Sequence, residues 1–376
     1  MKKKIALSLI MILVVMAAMT GCGGGSGGDT GGGTGGGGGE KVNWKLASTW
    51  ADGTFLFSVD QRFCELVGEL TDGNFTIKPY GVGQLGAANQ VFDLVQGGTV
   101  EAGGDWPSYW TGKSLGFDLL ATTMFDFTNW DYYVWIYEGG GLEDAYNYMF
   151  NQFGMVYFPT AVTPMESGIR SNVPIKSLAD FKGLKIRFAG KIQGMVAEKI
   201  GITPVTIAAD ELYESLQRGV IDAAEYSGPY NDDVMKIQEV TKYWLTPGWH
   251  QTASAYGAMI NQAAYDKLPD AYKDAIEKAA KLTMVEYMAK YTWNDAQATQ
   301  RILDAGVETT TLSDEDMATL QQYTLESAEA LAAESEDYAH VYKSMLNYRK
   351  TMENYRTALG DWGFGINLKE YPNIPE

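Results

Sequence analysis

Residues 183–190, GLKIRFAG, alternate apolar Leu184, Ile186 and Phe188 with charged Lys185 and Arg187. That is the period of a strand whose successive side chains face opposite ways. Arg187 closes the strand beside Ala189 and Gly190, which raises the question of whether it faces bulk water or a ligand. Nearer the N-terminus, residues 41–49 read as a strand, and Phe55, Val59, Phe63, Leu66 and Leu70 then recur at helical spacing. A strand at 74–80, a helix at 89–96 and a strand at 99–104 complete a β-α-β-α-β run. Such alternation predicts an α/β lobe with helices packed on a mainly parallel sheet.

The pattern returns: strand at 183–188, helix at 194–200, strand at 203–207, helix at 210–217 and strand at 220–227. Within it, LVQGGTVEAGGDW (94–106) aligns with SLQRGVIDAAEYS (215–227). Gln96 matches Gln217, Gly98 matches Gly219, and Glu101-Ala102 matches Asp222-Ala223. Each segment reads as a helix, a glycine at its C-terminal end and a strand. Two similar lobes are expected, facing each other. Lobe I takes residues 41–166 with a return segment at about 250–300, and lobe II takes 167–249 with C-terminal helices at about 301–376. Residues 263–300 have helical spacing, with two helices expected around Pro269, and one long helix is expected from Ser313 to about Asp361.

The leading residues change the picture of where the lobes work. Lys2, Lys3 and Lys4 precede an apolar run at 5–18 and then MTGC ending at Cys22, the layout of a secretory signal over residues 1–21. The run is shorter than the ~20 residues that span a bilayer. Small residues before a cysteine resemble a bacterial lipobox, which makes Cys22 the expected lipidation site. Residues 22–40 are glycine-rich, cannot bury apolar area and read as a tether from membrane to body. Cys64 is the only other cysteine, so an acylated Cys22 leaves no intramolecular disulfide.

The formal charge is −18; without the three leader lysines, 26 basic residues face 47 acidic ones, or −21. Such a surface excludes nucleic acid as an expected partner and disfavours adsorption to anionic headgroups. An anionic ligand would have to be held by local positive charge, which draws attention to each arginine in a cleft.

Candidate chemistry is sparse. GVGQLG at 81–86 fits the dinucleotide pattern, but it follows the second strand of the lobe, and a tight turn explains its glycines. His250 and His340 are the only histidines, and no zinc-spaced cluster is present. Aromatic groups are more informative. Trp50 ends the first strand, Trp106, Tyr109 and Trp110 follow the third, Tyr226 and Tyr230 follow its counterpart, and Trp249 lies in TPGWH. In open α/β sheets, ligands bind beyond the carboxyl ends of strands.

VGQLGAANQVFDLVQGGTVE, GIRSNVPIKSLADFKGLKIRFAG, GITPVTIAADELYESLQRGVIDAAEYSGPYND, PGWHQT and KLPDAYKDAI together resemble the extracytoplasmic solute-binding proteins of tripartite ATP-independent periplasmic (TRAP) transporters, of the DctP type. DAAEYSGPYND with PGWH is most similar to the branch that binds 2-oxo and 2-hydroxy monocarboxylates. The resemblance implies a two-lobed periplasmic-binding-protein fold of the Venus-flytrap kind, with a hinge and no catalytic residues. It implies that Arg187 takes the ligand carboxylate as a bidentate pair. It places Arg170 as a second arginine that orients the ligand or braces the cleft. Glu225 and Tyr226 match the Glu-Trp pair of the cation site in that branch. One departure stands out: the branch carries a glutamine upstream of Arg170, and TAVTPMESGIR offers Thr163 and Glu166 instead. Whether a sodium or calcium ion bridges ligand to Glu225, Tyr226 and Glu166 stays open.

The resulting expectation is a lipid-anchored, extracytoplasmic binding protein. It captures a small organic acid with Arg187, Arg170 and Glu225 between walls of Trp50, Tyr109, Tyr226 and Trp249, and delivers it to a TRAP permease. The alternatives are a binder of a neutral or acidic sugar and a surface-anchored hydrolase. A homodimer is permitted by the C-terminal helices and is not decided by the sequence.

Overall fold

A computed structural model describes residues 40–359 apart from Ala208; Cys22, the leader, the glycine-rich stretch and residues beyond 359 lie outside the described residues. The body carries two six-stranded mixed sheets. The first contains β1 (Val42–Ser48), β2 (Phe75–Tyr80), β3 (Ala102–Asp105), β4 (Thr122–Thr123), β5 (Met155–Thr163) and β11 (Ala253–Asn261). Its order is β2-β1-β3-β11-β4, with β5 also paired to β11. The second contains β6 (Ile169–Ser171), β7 (Lys185–Arg187), β8 (Thr203–Val205), β9 (Ala223–Ala224), β10 (Tyr243–Leu245) and β12 (Glu308–Thr310), in the order β12-β10-β6-β9-β7-β8.

The expectation of mainly parallel sheets needs correcting. β1 is parallel to β2 and β3, but β11 runs antiparallel to β3, β4 and β5. In the second sheet β6 runs antiparallel to β9 and β10. The reversals fall at two of the chain's three crossings between the sheets, through residues 164–168 from β5 to β6 and through residues 246–252 from β10 to β11; the third, through residues 262–307, leads from β11 to β12. The two short crossings deliver β6 and β11 antiparallel to their neighbours, whereas the long third crossing delivers β12 parallel to β10.

The helices are α1 (Phe55–Leu70), α2 (Val91–Gln96), α3 (Gly116–Ala121), α4 (Asn129–Tyr137), α5 (Tyr148–Asn151), α6 (Lys191–Lys199), α7 (Leu212–Gln217), α8 (Pro229–Val234), α9 (Gln262–Asp266), α10 (Asp270–Asp304), α11 (Asp314–Glu334) and α12 (Glu336–Leu359). α1 forms where the spacing placed it. The Thr54 hydroxyl caps it by accepting from the Phe57 N–H, and Val59, Phe63, Leu66 and Val67 bury its inner face. The expected single helix after Ser313 is two, α11 and α12, interrupted at Ser335, whose backbone is extended. α11 packs on α6 and α12 on α3, while α10 lies against β5, α1 and α8, so these helices touch the elements of both sheets.

The internal repeat is real in backbone terms. α2 and α7 both end at a left-handed glycine, Gly98 at φ +68° and Gly219 at φ +69°. Thr99 N–H donates to Leu94 O at 2.9 Å and Gly98 N–H to Val95 O at 3.0 Å. In the second copy Val220 donates to Ser215 O at 2.9 Å and Gly219 to Leu216 O at 3.2 Å. Both are Schellman closures that turn the chain into β3 and β9. β9 is only Ala223–Ala224, far shorter than the 220–227 run suggests.

Candidate functional site

Strand register sets the frame. Val205, Arg187, Ala224, Arg170 and Trp244 lie abreast in one row across β8, β7, β9, β6 and β10. Arg187 does not face bulk water: it is 8% exposed. Its Nη1 donates to the Glu225 Oε1 and to the Glu225 carbonyl oxygen, both at 2.8 Å, and its Nε to the Ile207 carbonyl at 3.4 Å. Among the described residues, its hydrogen bonds use Nε and Nη1 only. Glu225 Oε1 also accepts from the Ala189 N–H at 2.7 Å, so the flexible exit of β7 is fastened by the same oxygen.

The two crossovers bring the second glutamate. Residues 164–168 run beside 246–252, with the Glu166 N–H donating to Gln251 O at 3.1 Å. The approach requires glycine at 248, where a Cβ would sit 2.2 Å from the Glu166 carbonyl oxygen. Glu166 Oε1 accepts from Gln251 Nε2 at 2.6 Å, and its Oε2 lies 3.3 Å from His250 Nε2. Glu225 Oε2 lies 4.0 Å from the same nitrogen. Gln193 of α6 reaches the His250 carbonyl at 3.2 Å. Glu166, Glu225 and His250 are all buried, and one donor atom of each lies within 4.8 Å of the others. Two carboxylate oxygens and an imidazole nitrogen turned to one point fit a cation. Burial, reinforced by the charge of Glu225, holds the Glu166 carboxyl well above the usual carboxylate range. Burial also draws His250 down to about 4, so its ring is neutral near pH 7.

The aromatic residues divide. Trp50, at the end of β1, packs against Tyr109 with ring centroids 5.8 Å apart, and Tyr109 lies 5.3 Å from Trp106. Tyr109, 45% exposed, is within electrostatic range of Arg187, Tyr226 and Glu225, so the β3 end of the first sheet meets the β7 and β9 ends of the second. Trp249 is instead buried in the main core, stacked on Phe125 at 5.9 Å and 17°. Arg170 also stands apart from the Arg187 cluster. It is buried over the Trp244 ring, 4.9 Å to the centroid, and none of its guanidinium nitrogens makes a hydrogen bond. Its electrostatic partner is Asp232 of α8, whose carboxyl is pushed up to about 7 by burial, with Arg170 pulling the other way.

Sequence reasoning did not single out His250, Gln251, Gln193 or Asp232. PGWHQT was the available signal for the first two, since a chain with two histidines that buries one beside strand ends has a use for it.

This architecture, two mixed sheets joined by paired crossovers with a buried arginine and two glutamates at the junction, is that of a solute-binding protein. Residues 46–335 match the family described as bacterial extracellular solute-binding protein, family 7 (DctP), and the chain belongs to it. It is 30% identical over 309 residues to a monocarboxylate 2-oxoacid-binding periplasmic protein of Nostoc sp. strain PCC 7120, covering 82% of this chain and 84% of that one. A TRAP periplasmic solute-binding protein of Pseudoalteromonas atlantica, crystallised with sodium and pyruvate, superposes with a TM-score of 0.79 at 28% identity, covering 85% of this chain and 97% of that one. A TRAP solute-binding protein of Bordetella bronchiseptica, a dimer with calcium and picolinate in its occupied site, gives 0.80 at 26% identity, covering 85% of this chain and 95% of that one.

Proposed function

We propose that the protein is the lipid-anchored, extracytoplasmic binding subunit of a TRAP transporter. It captures a small 2-oxo or 2-hydroxy carboxylate and delivers it to the membrane permease without performing covalent chemistry. The observation that carries this reading is the buried Arg187, tied through Nη1 to Glu225 at 2.8 Å and placed where the ends of β3, β7 and β9 converge. Its Nη2 edge is the donor that a carboxylate would meet, and exchange of Nη1 from Glu225 to the ligand would complete a bidentate pair. Glu225 and Glu166, with Tyr226 beside them, would hold a cation that also touches the ligand's 2-oxo or 2-hydroxy oxygen, which fits relatives crystallised with sodium or calcium. Trp50, Tyr109 and Tyr226 would form the walls; Trp249 and Arg170 would brace the cleft from the core side. Because Glu166 and His250 lie on the crossovers, ligand and ion would bear directly on the segments that bend when such lobes close.

The reading is tested by thermal unfolding of the purified protein against 2-oxo acids, 2-hydroxy acids, dicarboxylates and neutral sugars, with and without chelator. A ligand at about 100 times its dissociation constant adds roughly 2.7 kcal/mol and raises the midpoint by a few degrees. Carboxylates should shift the wild type and not Arg187→Ala. Stabilisation by neutral sugars alone, or turnover of any ligand, would sink it.

A further inference from the structure

α6 begins without a cap of its own. Its N-cap is Gly190, in extended backbone at φ −87° and ψ 156°, and the N-cap supplies no side-chain hydrogen bond. A helix leaves its leading N–H groups unpaired within itself, and a side-chain acceptor at the N-cap ordinarily takes one of them. Residue 190 has no room for such a side chain. An added Cβ would sit 1.7 Å from Gln193 Oε1, and Gln193 is buried with its Nε2 donating to the His250 carbonyl oxygen at 3.2 Å. The acceptor comes instead from the other sheet. Asp118 of α3, 1% exposed, takes the Lys191 N–H on Oδ1 at 3.3 Å and the Ile192 N–H on Oδ2 at 3.2 Å. Its Oδ1 also accepts from the Ser108 hydroxyl at 2.6 Å, and Ser108 adjoins Tyr109 in the turn that follows β3.

These contacts run in one line across the junction. The stretch 189–192 is held at one end by Glu225, whose Oε1 accepts the Ala189 N–H at 2.7 Å and pairs with Arg187, and at the other end by Asp118. α3 lies between β3 and β4 in the chain and α6 between β7 and β8, so the Asp118 contacts join the first sheet to the second. A helix N-terminus carries partial positive charge, which a buried carboxylate suits. We infer that Asp118 is a positioning residue for acid capture: it latches the first sheet to the exit of β7 and slows release of an acid held at Arg187. The inference rests on the acid-binding reading above and adds to it a residue that does not touch the ligand. When the sheets part at the cleft, both N–H contacts break together, and Asp118 and the bare end of α6 have to be rehydrated. That cost falls on the way out of the loaded cleft, so its removal shows in the dissociation rate. A contact that served only the fold would persist in open and closed arrangements alike and leave release unchanged.

The test is release of radiolabelled pyruvate or lactate, bound in the presence of Na⁺ and Ca²⁺, into an excess of unlabelled acid, for the purified wild type, Asp118→Ala and Asp118→Asn. Urea midpoints of the three proteins establish that the variants are folded; if the alanine variant is not, the asparagine variant carries the comparison. Alanine removes both acceptors, whereas asparagine keeps one oxygen and is itself a common N-cap. The expected result is release about 10-fold faster in Asp118→Ala, within the range spanned by loss of a helix cap, and an intermediate rate in Asp118→Asn. Release as slow in the folded variants as in the wild type overturns the inference, whatever the urea midpoints do, and leaves the acid-binding reading standing. If neither acid binds the wild type, the acid-binding reading fails on its simplest members, and amide hydrogen exchange at Ala189 decides the latch, because its acceptor Glu225 is untouched by the substitution. Exchange there at least about 10-fold faster in Asp118→Ala keeps the latch; unchanged exchange overturns it.

Discussion

Arg187 and Glu225 are tied at two points by a single nitrogen: Arg187 Nη1 lies 2.8 Å from both the side-chain Oε1 and the main-chain oxygen of Glu225. The pair is almost wholly buried, so removing one partner strands the other charge, a loss of about 3–5 kcal/mol where such pairs have been cut. Arg187→Lys is expected to be nearly as damaging to acid affinity as Arg187→Ala, because a point ammonium cannot serve Glu225 and both oxygens of a ligand at once. Isothermal titration with the best acid of the panel should show at least about a 30-fold loss, the equivalent of roughly 2 kcal/mol. Retention of affinity by the lysine variant would mean that no bidentate pair forms.

Gly248→Ala is expected to uncouple the crossovers. Its Cβ would lie 2.2 Å from the Glu166 carbonyl oxygen, a main-chain atom that cannot turn aside. Overpacking of this kind costs about 1–3 kcal/mol. Chemical denaturation should register that loss, and acid binding should fall with it because Glu166 and His250 are displaced together. An unchanged binding constant would separate the crossover packing from the site.

Stability should also carry a pH signature away from the cleft. Asp60 of α1 is buried and its carboxyl is pushed up to about 7 by that burial, against a hydrogen bond from Ser48 that pulls it down. The folded protein therefore keeps a proton that the unfolded chain releases above about pH 4. This contribution is fully present below the unfolded value and is lost as pH rises from about 4 to 7, at up to about 1.4 kcal/mol per pH unit. Asp60→Asn removes that slope, so denaturant midpoints of the variant should fall less between about pH 5 and about pH 7, inside the titration window, than those of the wild type. Parallel pH profiles would show that Asp60 stays charged.

The repeated helix endings offer a matched pair of substitutions. Gly98 and Gly219 are left-handed, and an added methyl meets nothing closer than 3.7 Å at Gly98 and nothing within 4 Å at Gly219. Gly98→Ala and Gly219→Ala should each cost about 1–2 kcal/mol from backbone conformation alone. Guanidinium melts of the two variants should agree; a much larger loss at one would reveal a packing role there.

Much of this was legible in the chain. Arg187 pairs with Glu225 and Glu225 lies near Glu166, three residues to which the family resemblance had drawn attention, and the alignment of Gln96–Ala102 with Gln217–Ala223 marks two equivalent helix closures. Period-two and helical spacing located β1, α1, β2 and α10, because those elements bury one face and leave the other wet. The antiparallel entries of β6 and β11 were not legible. Both strands are uniformly buried over most of their length, so no alternation betrays direction, and their orientation is set by crossovers joining distant segments. His250 was obscured for the same reason: its partners come from residues 166 and 225, and only folding places them around it. The break at Ser335 hides within a run of good helix formers, where an extended residue is imposed by docking α11 on α6 and α12 on α3.

Because Arg187 is already matched by Glu225, a carboxylate captured as proposed would arrive as surplus negative charge in an interior that also holds Glu166. Dry protein does not tolerate such an excess. Positive charge would then accompany the anion, as a proton kept on Glu166, whose carboxyl burial holds well above the usual range, or as an ion between the two glutamates. Acid and positive charge are then linked ligands, each raising the affinity for the other by the same factor. On the proposed reading, loading of the cleft should therefore follow the availability of both in the surrounding medium, and a cargo passed on from it would be an electrically compensated pair.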